Sequence, residues 1–188
     1  MPQGPTAHVT RVAHDVGLAA WVGGSLFGRL AFNRSVTNIS DTAERGKVTN
    51  AAYAAYNPIN ALGLGAAAAG WLAARATETR PDKLTGTERT LSVVKDGLMS
   101  VAVASGVATV VQHIRLGRQG DDGRVPLEAP LTPAPDTPPA AAKLQGSIGK
   151  LTTVNILSGL VIVGVNAVIA QFDHSRPPLR RALFRRSS

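Results

Sequence analysis

A chain of 188 residues with 17% charged and 4% aromatic side chains falls below the roughly 25% charge usual for soluble domains, and it lacks the rings to fill a large aromatic core. It has no cysteine, which excludes disulfides, thiolate metal sites, iron–sulfur clusters and cysteine nucleophiles. The net charge of +8 fits nucleic acid, anionic lipid or the cytoplasmic loops of a membrane protein, and a mean hydropathy of +0.07 conceals apolar blocks alternating with Arg- or Pro-rich connectors.

Residues 1–15 are polar, and no small-residue cleavage pattern follows the first apolar block, so that block reads as a retained helix. It covers about residues 12–32, with an uncharged run over 16–28 and Arg29 able to snorkel from its far end. The second block lies within residues 48–74, which hold no charge, and its membrane part is about 56–74, with Asn57-Pro58 in the first turn. The third is the uncharged window 97–114, which includes His113. The fourth is 151–172, between Lys150 and Asp173. A bilayer core about 30 Å thick takes about 20 helical residues.

The predicted fold is all-α, a polytopic membrane protein of four transmembrane helices arranged as two hairpins. Residues 1–115 form the first hairpin, a cytoplasmic connector and the third helix. Residues 116–149 form a Pro-rich disordered connector holding Pro126, Pro130, Pro133, Pro135, Pro138 and Pro139. Residues 150–173 are the fourth helix and 174–188 a basic tail, all in one membrane domain. A soluble four-helix bundle is the rival, but it needs charged helix faces that the second and fourth blocks lack. Positive charge clusters at Arg75, Arg80, Lys83, Arg89 and Lys95 and again at Arg176–Arg186, which places both termini in the cytoplasm of a multi-pass cell-membrane protein. Trp71 and Phe172 fit the cytoplasmic interface, and Tyr53 and Tyr56 the outer one. Abundant Ala, Gly and Arg point to a GC-rich bacterial genome.

The hairpins read as a parallel repeat. Asp15 with Gly17-Leu18 matches Asp96-Gly97-Leu98, and Ile59-Asn60-Ala61-Leu62 matches Val154-Asn155-Ile156-Leu157. Small residues four apart, Gly24 and Gly28, Ala66 and Gly70, then Ser100, Ala104 and Ala108, permit close helix approach, within the chain or between copies.

Asp15, Lys95 and Asp96 are the ionisable groups nearest the apolar blocks. With Asn60 and Asn155 they form a candidate polar or ion site. Their helix-end positions reach the headgroup region, so solvated roles are expected, and Asn60, Asn155 and Asn166 are expected to hydrogen-bond between helices. His8, His14, His113 and His174 show no i, i+4 pair. His14 is the candidate metal or haem ligand, with an interfacial, solvated imidazole as the ordinary reading. In the tail, Arg180, Arg181, Arg185 and Arg186 are suited to anionic lipid. No stacking aromatics accompany them, so nucleic acid is not expected as a partner. Gly46-Lys47 and Gly149-Lys150 lack the Ser or Thr of a phosphate-binding loop, and no catalytic pattern supports an enzyme.

His14, Trp21, Gly23-Gly24 and Phe27 form the pattern H-x6-W-x-G-G-x-x-F. It resembles the opening of the copper-resistance D family and related small bacterial membrane proteins of unknown function. The resemblance covers one helix of four. It implies an all-α membrane bundle, a link to copper handling and a ligand role for His14, while two Met and no Cys leave few soft ligands. The leading expectation is a non-enzymatic structural or accessory membrane module without cofactor, partnered by the bilayer and by a homo-oligomer or membrane complex. A small ion or solute transporter and a haem- or copper-binding protein are the alternatives.

Overall fold

The computed structural model describes residues 5–77, 84, 86–120 and 124–175, with side chains described over 9–76, 84, 86–120 and 124–171. Helix α1 (Pro5–Phe27) passes through a π-helical turn (Gly28–Phe32) into α2 (Asn33–Val36). Then come α3 (Thr42–Thr77), α4 (Gly86–Gly117), the short strands β1 (Leu127–Ala129) and β2 (Thr132–Pro133), and α5 (Pro139–Ser175). In the π turn the Asn33 N–H bonds to Gly28 O, and the altered phase turns Asn33 inward to accept from the Tyr53 hydroxyl at 2.9 Å.

Local chemistry sets the helix starts. Asp41 caps α3, its Oδ1 accepting from the N–H groups of Ala43 and Glu44, both at 2.8 Å. Proline opens α5, where a missing N–H leaves nothing unpaired.

Helix α1 packs along α3 and α4 along α5, and the two hairpins join through α3–α4 and α1–α5, leaving α1 and α4 diagonally opposed. The α1–α3 seam needs glycine. A Cβ on Gly17 would lie 2.6 Å from the Gly63 carbonyl, and one on Gly70 would lie 2.7 Å from the His14 Cβ. The small residues at Gly24, Gly28, Ala66 and Gly70 therefore pack within the chain, whereas Ser100 and Ala104 face outward. The core is Leu18, Trp21, Val22, Leu64, Ala67, Trp71, Met99, Ala102 and Ile162.

Buried positions recur between hairpins at constant offsets. His14, Leu18 and Trp21 correspond to Lys95, Met99 and Ala102 in the register set by Asp15 and Asp96. Gly63, Leu64, Ala67 and Gly70 correspond to Ser158, Gly159, Ile162 and Val165 in the register set by Asn60 and Asn155.

Two helices, α4 and the Pro139–Gln171 part of α5, are long and apolar enough to cross a membrane by length and composition. Only 22% and 33% of their most apolar 18-residue windows are buried, whereas the core helix of a soluble protein would be mostly buried. Large apolar side chains also point outward on the other helices, among them Val12, Val16 and Phe27 on α1 and Ile59, Leu62 and Leu72 on α3.

The connector departs from the disordered spacer that its prolines suggest. Residues 124–138 fold against one end of the bundle as an antiparallel β1–β2 hairpin, and α5 begins at Pro139, well before Lys150. Val125 joins Leu116, Ala141 and Ile148 in a second apolar cluster, with Leu131 packed against it. Buried Arg45 donates to the carbonyls of Ile39, Leu127 and Glu128, and Gln145 donates to Pro126 O at 3.2 Å. Proline density reads as a spacer only where no apolar side chain can be buried, and here several are.

The cap predicts a pH signature. The two N–H groups hold the Asp41 carboxyl below the usual carboxylate range. Its contribution is therefore complete above the ordinary pKa of about 3.9 and is lost as pH falls through the depressed native value. Thermal unfolding in detergent should show Asp41→Ala melting lower than the parent at neutral pH. Asp41→Asn should keep most of the cap, and the gap between parent and Asp41→Asn should change only in acid.

Candidate functional site

Four helices converge on one buried ammonium. Lys95 of α4 is 2% exposed. Its Nζ lies 3.0 Å from His14 Nε2 of α1, donates to Asn166 Oδ1 of α5, and sits 3.8 Å from the Trp71 ring centroid of α3. Three N–H donors thus meet a nitrogen, an oxygen and a π face.

The partners settle the tautomer. His14 Nδ1 lies 2.6 Å from the Ala67 carbonyl, which can only accept, so Nδ1 carries the hydrogen. Nε2 then presents a lone pair to Lys95 Nζ and to Asn166 Nδ2, the latter at 3.2 Å. A second hydrogen on His14 would face two donors with no acceptor. The geometry therefore seats one ammonium against one neutral imidazole.

Asp96, the next residue on α4, orients the π face. Its Oδ1 accepts from Trp71 Nε1 at 2.8 Å, and its Oδ2 pairs with Arg75 Nη2 at 2.9 Å. The carboxylate thus holds the indole that lies over Lys95. Gly70 permits the whole arrangement, because any side chain there would strike His14.

The five-residue polar site expected from the sequence does not form as a unit. Lys95 and Asp96 belong to this centre, and Asp15 is exposed on the outer side of α1. Asn155 lies eleven residues from Asn166 on α5, about 16 Å along the axis. There it accepts from Trp21 Nε1 at 2.8 Å and donates to Ala102 O and Ser105 Oγ at 2.7 and 3.2 Å. Asn60 accepts from Ser25 and Tyr56, each at 3.3 Å. The expected solvated roles of Lys95 and His14 are also overturned, since both are enclosed, His14 at 7% exposure. Trp71, which the sequence leaves equally open to interfacial placement and to core packing, is buried at 5%. His14, Asn166, Trp71 and Arg75 are the members of the centre that the sequence did not assign to it. The available signal was the repeat: in its two registers His14 pairs with Lys95 and Trp71 with Asn166.

Both His14 nitrogens are engaged by protein groups, and among the described residues no three His, Asp or Glu side chains gather to hold a metal ion. At the opposite end, His113 stacks on Tyr53 with ring centroids 5.0 Å apart. Arg180, Arg181, Arg185 and Arg186 lie outside the described residues. No family model, curated protein or solved structure matches the chain.

If His14 is the seat of Lys95, removing it leaves a buried charge short of a partner, a loss of about 1–3 kcal/mol or more. His14→Ala should lower the melting temperature in detergent, and adding Lys95→Met should restore much of it. A double variant no more stable than His14→Ala would refute the pairing.

Proposed function

We propose that this chain is a four-span integral membrane protein acting as a non-enzymatic accessory or structural module, with both termini in the cytoplasm. The carrying observation is the apolar exterior of a bundle that also buries polar groups within its core. Large apolar side chains line the outside of every long helix, while Lys95, His14, Asn155, Ser92, Ser105 and Ser158 are buried inside. In water that distribution exposes a broad apolar surface. In lipid it is the stable one, with polar side chains hydrogen-bonding between helices.

The interlocked interior favours a packing role over conduction. Each donor of the Lys95 ammonium is taken, and the amide of Asn155 is satisfied on both sides. The cavity at the level of Asn60 and Asn155 is about 40 Å³, a size for water rather than for a solute. One observation favours transport as a second reading: an ionisable group inside a membrane bundle is by default a functional candidate, and Lys95 is such a group. Proteoliposome flux that falls in Lys95→Met would support it.

The absence of native cysteine makes topology directly measurable. Asp136→Cys in the connector should react with an impermeant maleimide on intact cells, and Leu84→Cys should react only after permeabilisation. The parent should stay in the pellet after alkaline carbonate extraction. A soluble protein overturns the membrane reading, and inverted labelling overturns the orientation. Copurification in mild detergent tests the accessory role, which fails if the protein runs as a single species without a partner.

A further inference from the structure

The seam between α3 and α4 is left open. A groove of about 620 Å³ runs along it, within the ~300–1,000 Å³ typical of ligand sites. On the α3 side its wall is recessed by Ala51, Ala54 and Ala61, and on the α4 side it is made by Val110 and Ile114. From Lys47 to Ala61 it follows fourteen residues of helix, about 21 Å. One leaflet of a bilayer is about 15 Å deep, half of the hydrocarbon core.

The chemistry along the groove is graded. Lys47 stands at the end next to the connector, and Arg115 is exposed at the same end of α4. His113 lines the groove farther in, where it stacks on Tyr53. Asn50 and Asn57 also line the groove, and the rest of the wall is apolar. A cation at the mouth followed by an apolar trough matches an amphiphile with a negative head and a hydrocarbon tail. The groove is open along its side, which admits a molecule diffusing laterally in the leaflet.

We propose that the α3–α4 groove binds one anionic glycerophospholipid, its headgroup on Lys47 and one acyl chain along Ala54, Ala61, Val110 and Ile114. This rests on the membrane reading and names a lipid that the bundle carries between its two hairpins. The hairpins pack more extensively within themselves than across α3–α4, where an acyl chain adds contact.

Native mass spectrometry of the full chain in mild detergent tests this, with phosphatidylglycerol and phosphatidylcholine as the added probes. The parent should hold one phosphatidylglycerol in preference to phosphatidylcholine. Lys47→Gln should weaken phosphatidylglycerol about fivefold, the ~1 kcal/mol that one basic side chain near the surface contributes, and leave phosphatidylcholine unchanged. Ala54→Leu, or Ala61→Leu should the first not fold by circular dichroism, fills the trough and should weaken both lipids. Equal binding of the two lipids by the parent, or undiminished binding in the trough-filled variant, overturns the proposal. A chain that resists carbonate extraction yet holds no lipid sinks the groove alone, whereas a chain released by carbonate sinks the membrane reading beneath it.

Discussion

An ammonium group taken out of water must find substitutes for its lost hydration, and in this bundle each substitute comes from a different helix. Lys95 on α4 meets the imidazole of His14 on α1, the amide oxygen of Asn166 on α5 and the indole of Trp71 on α3. The requirement propagates outward. His14 reaches its place because Gly70 has no side chain and because the Ala67 carbonyl holds its other nitrogen. Trp71 is turned correctly because Asp96 accepts its N–H, and Asp96 is in turn held by Arg75. One charge therefore fixes the rotation of all four helices about their own axes. Apolar packing of Ala and Gly alone would specify those rotations poorly.

The repeat explains why the centre is heterogeneous. His14 and Lys95 hold matching positions of the sequence repeat on diagonally opposed helices, and they meet in the interior. Two lysines there would set ammonium against ammonium. Two neutral histidines, each with Nδ1–H directed to a carbonyl, would set lone pair against lone pair. One of each supplies a donor and an acceptor. Trp71 and Asn166, the other equivalent pair, divide the remaining work: a π face from one hairpin and an amide oxygen from the other. The asymmetry of the two halves is thus a hydrogen-bonding requirement imposed at matching positions.

The order of the four long helices was legible in the amino-acid sequence from its uncharged runs, but their lengths were not. Helices α3, α4 and α5 run well past the expected 56–74, 97–114 and 151–172, because a helix continues through charged turns that leave the apolar run. Lys95, Asp96, Asn155 and His14 were legible as polar residues near or within apolar blocks. Their grouping was not legible. A helix apolar on every side carries no amphipathic stripe, so its rotational phase is invisible, and phase decides whether Lys95 faces headgroups or the interior. Asp15 and Asp96 illustrate the point: they occupy the same position of the repeat, yet Asp15 is exposed and Asp96 buttresses Trp71. The folded connector was hidden for another reason. Its prolines dominate the composition, whereas its structure comes from a few apolar side chains and from Arg45, remote in sequence.

On the membrane reading proposed above, the irregular backbone sets where a bilayer would lie along the bundle. Non-helical segments with unpaired peptide groups are not tolerated against lipid hydrocarbon, so β1 and β2, with the turn between them, must stand beyond it. The part of α5 that packs on this hairpin, from Pro139 to Lys150, stands outside with it, about 16 Å of helix. From Lys150 to Asp173 is then about 34 Å, and from Arg115 back to Lys95 about 30 Å, both close to the thickness of the hydrocarbon core. On that reading Lys95 enters the bundle at the edge of the slab remote from the connector and points inward, where protein groups surround it. The two ends of the molecule thus differ in kind. One is closed by a folded connector anchored on Arg45, and the other by a single shared charge.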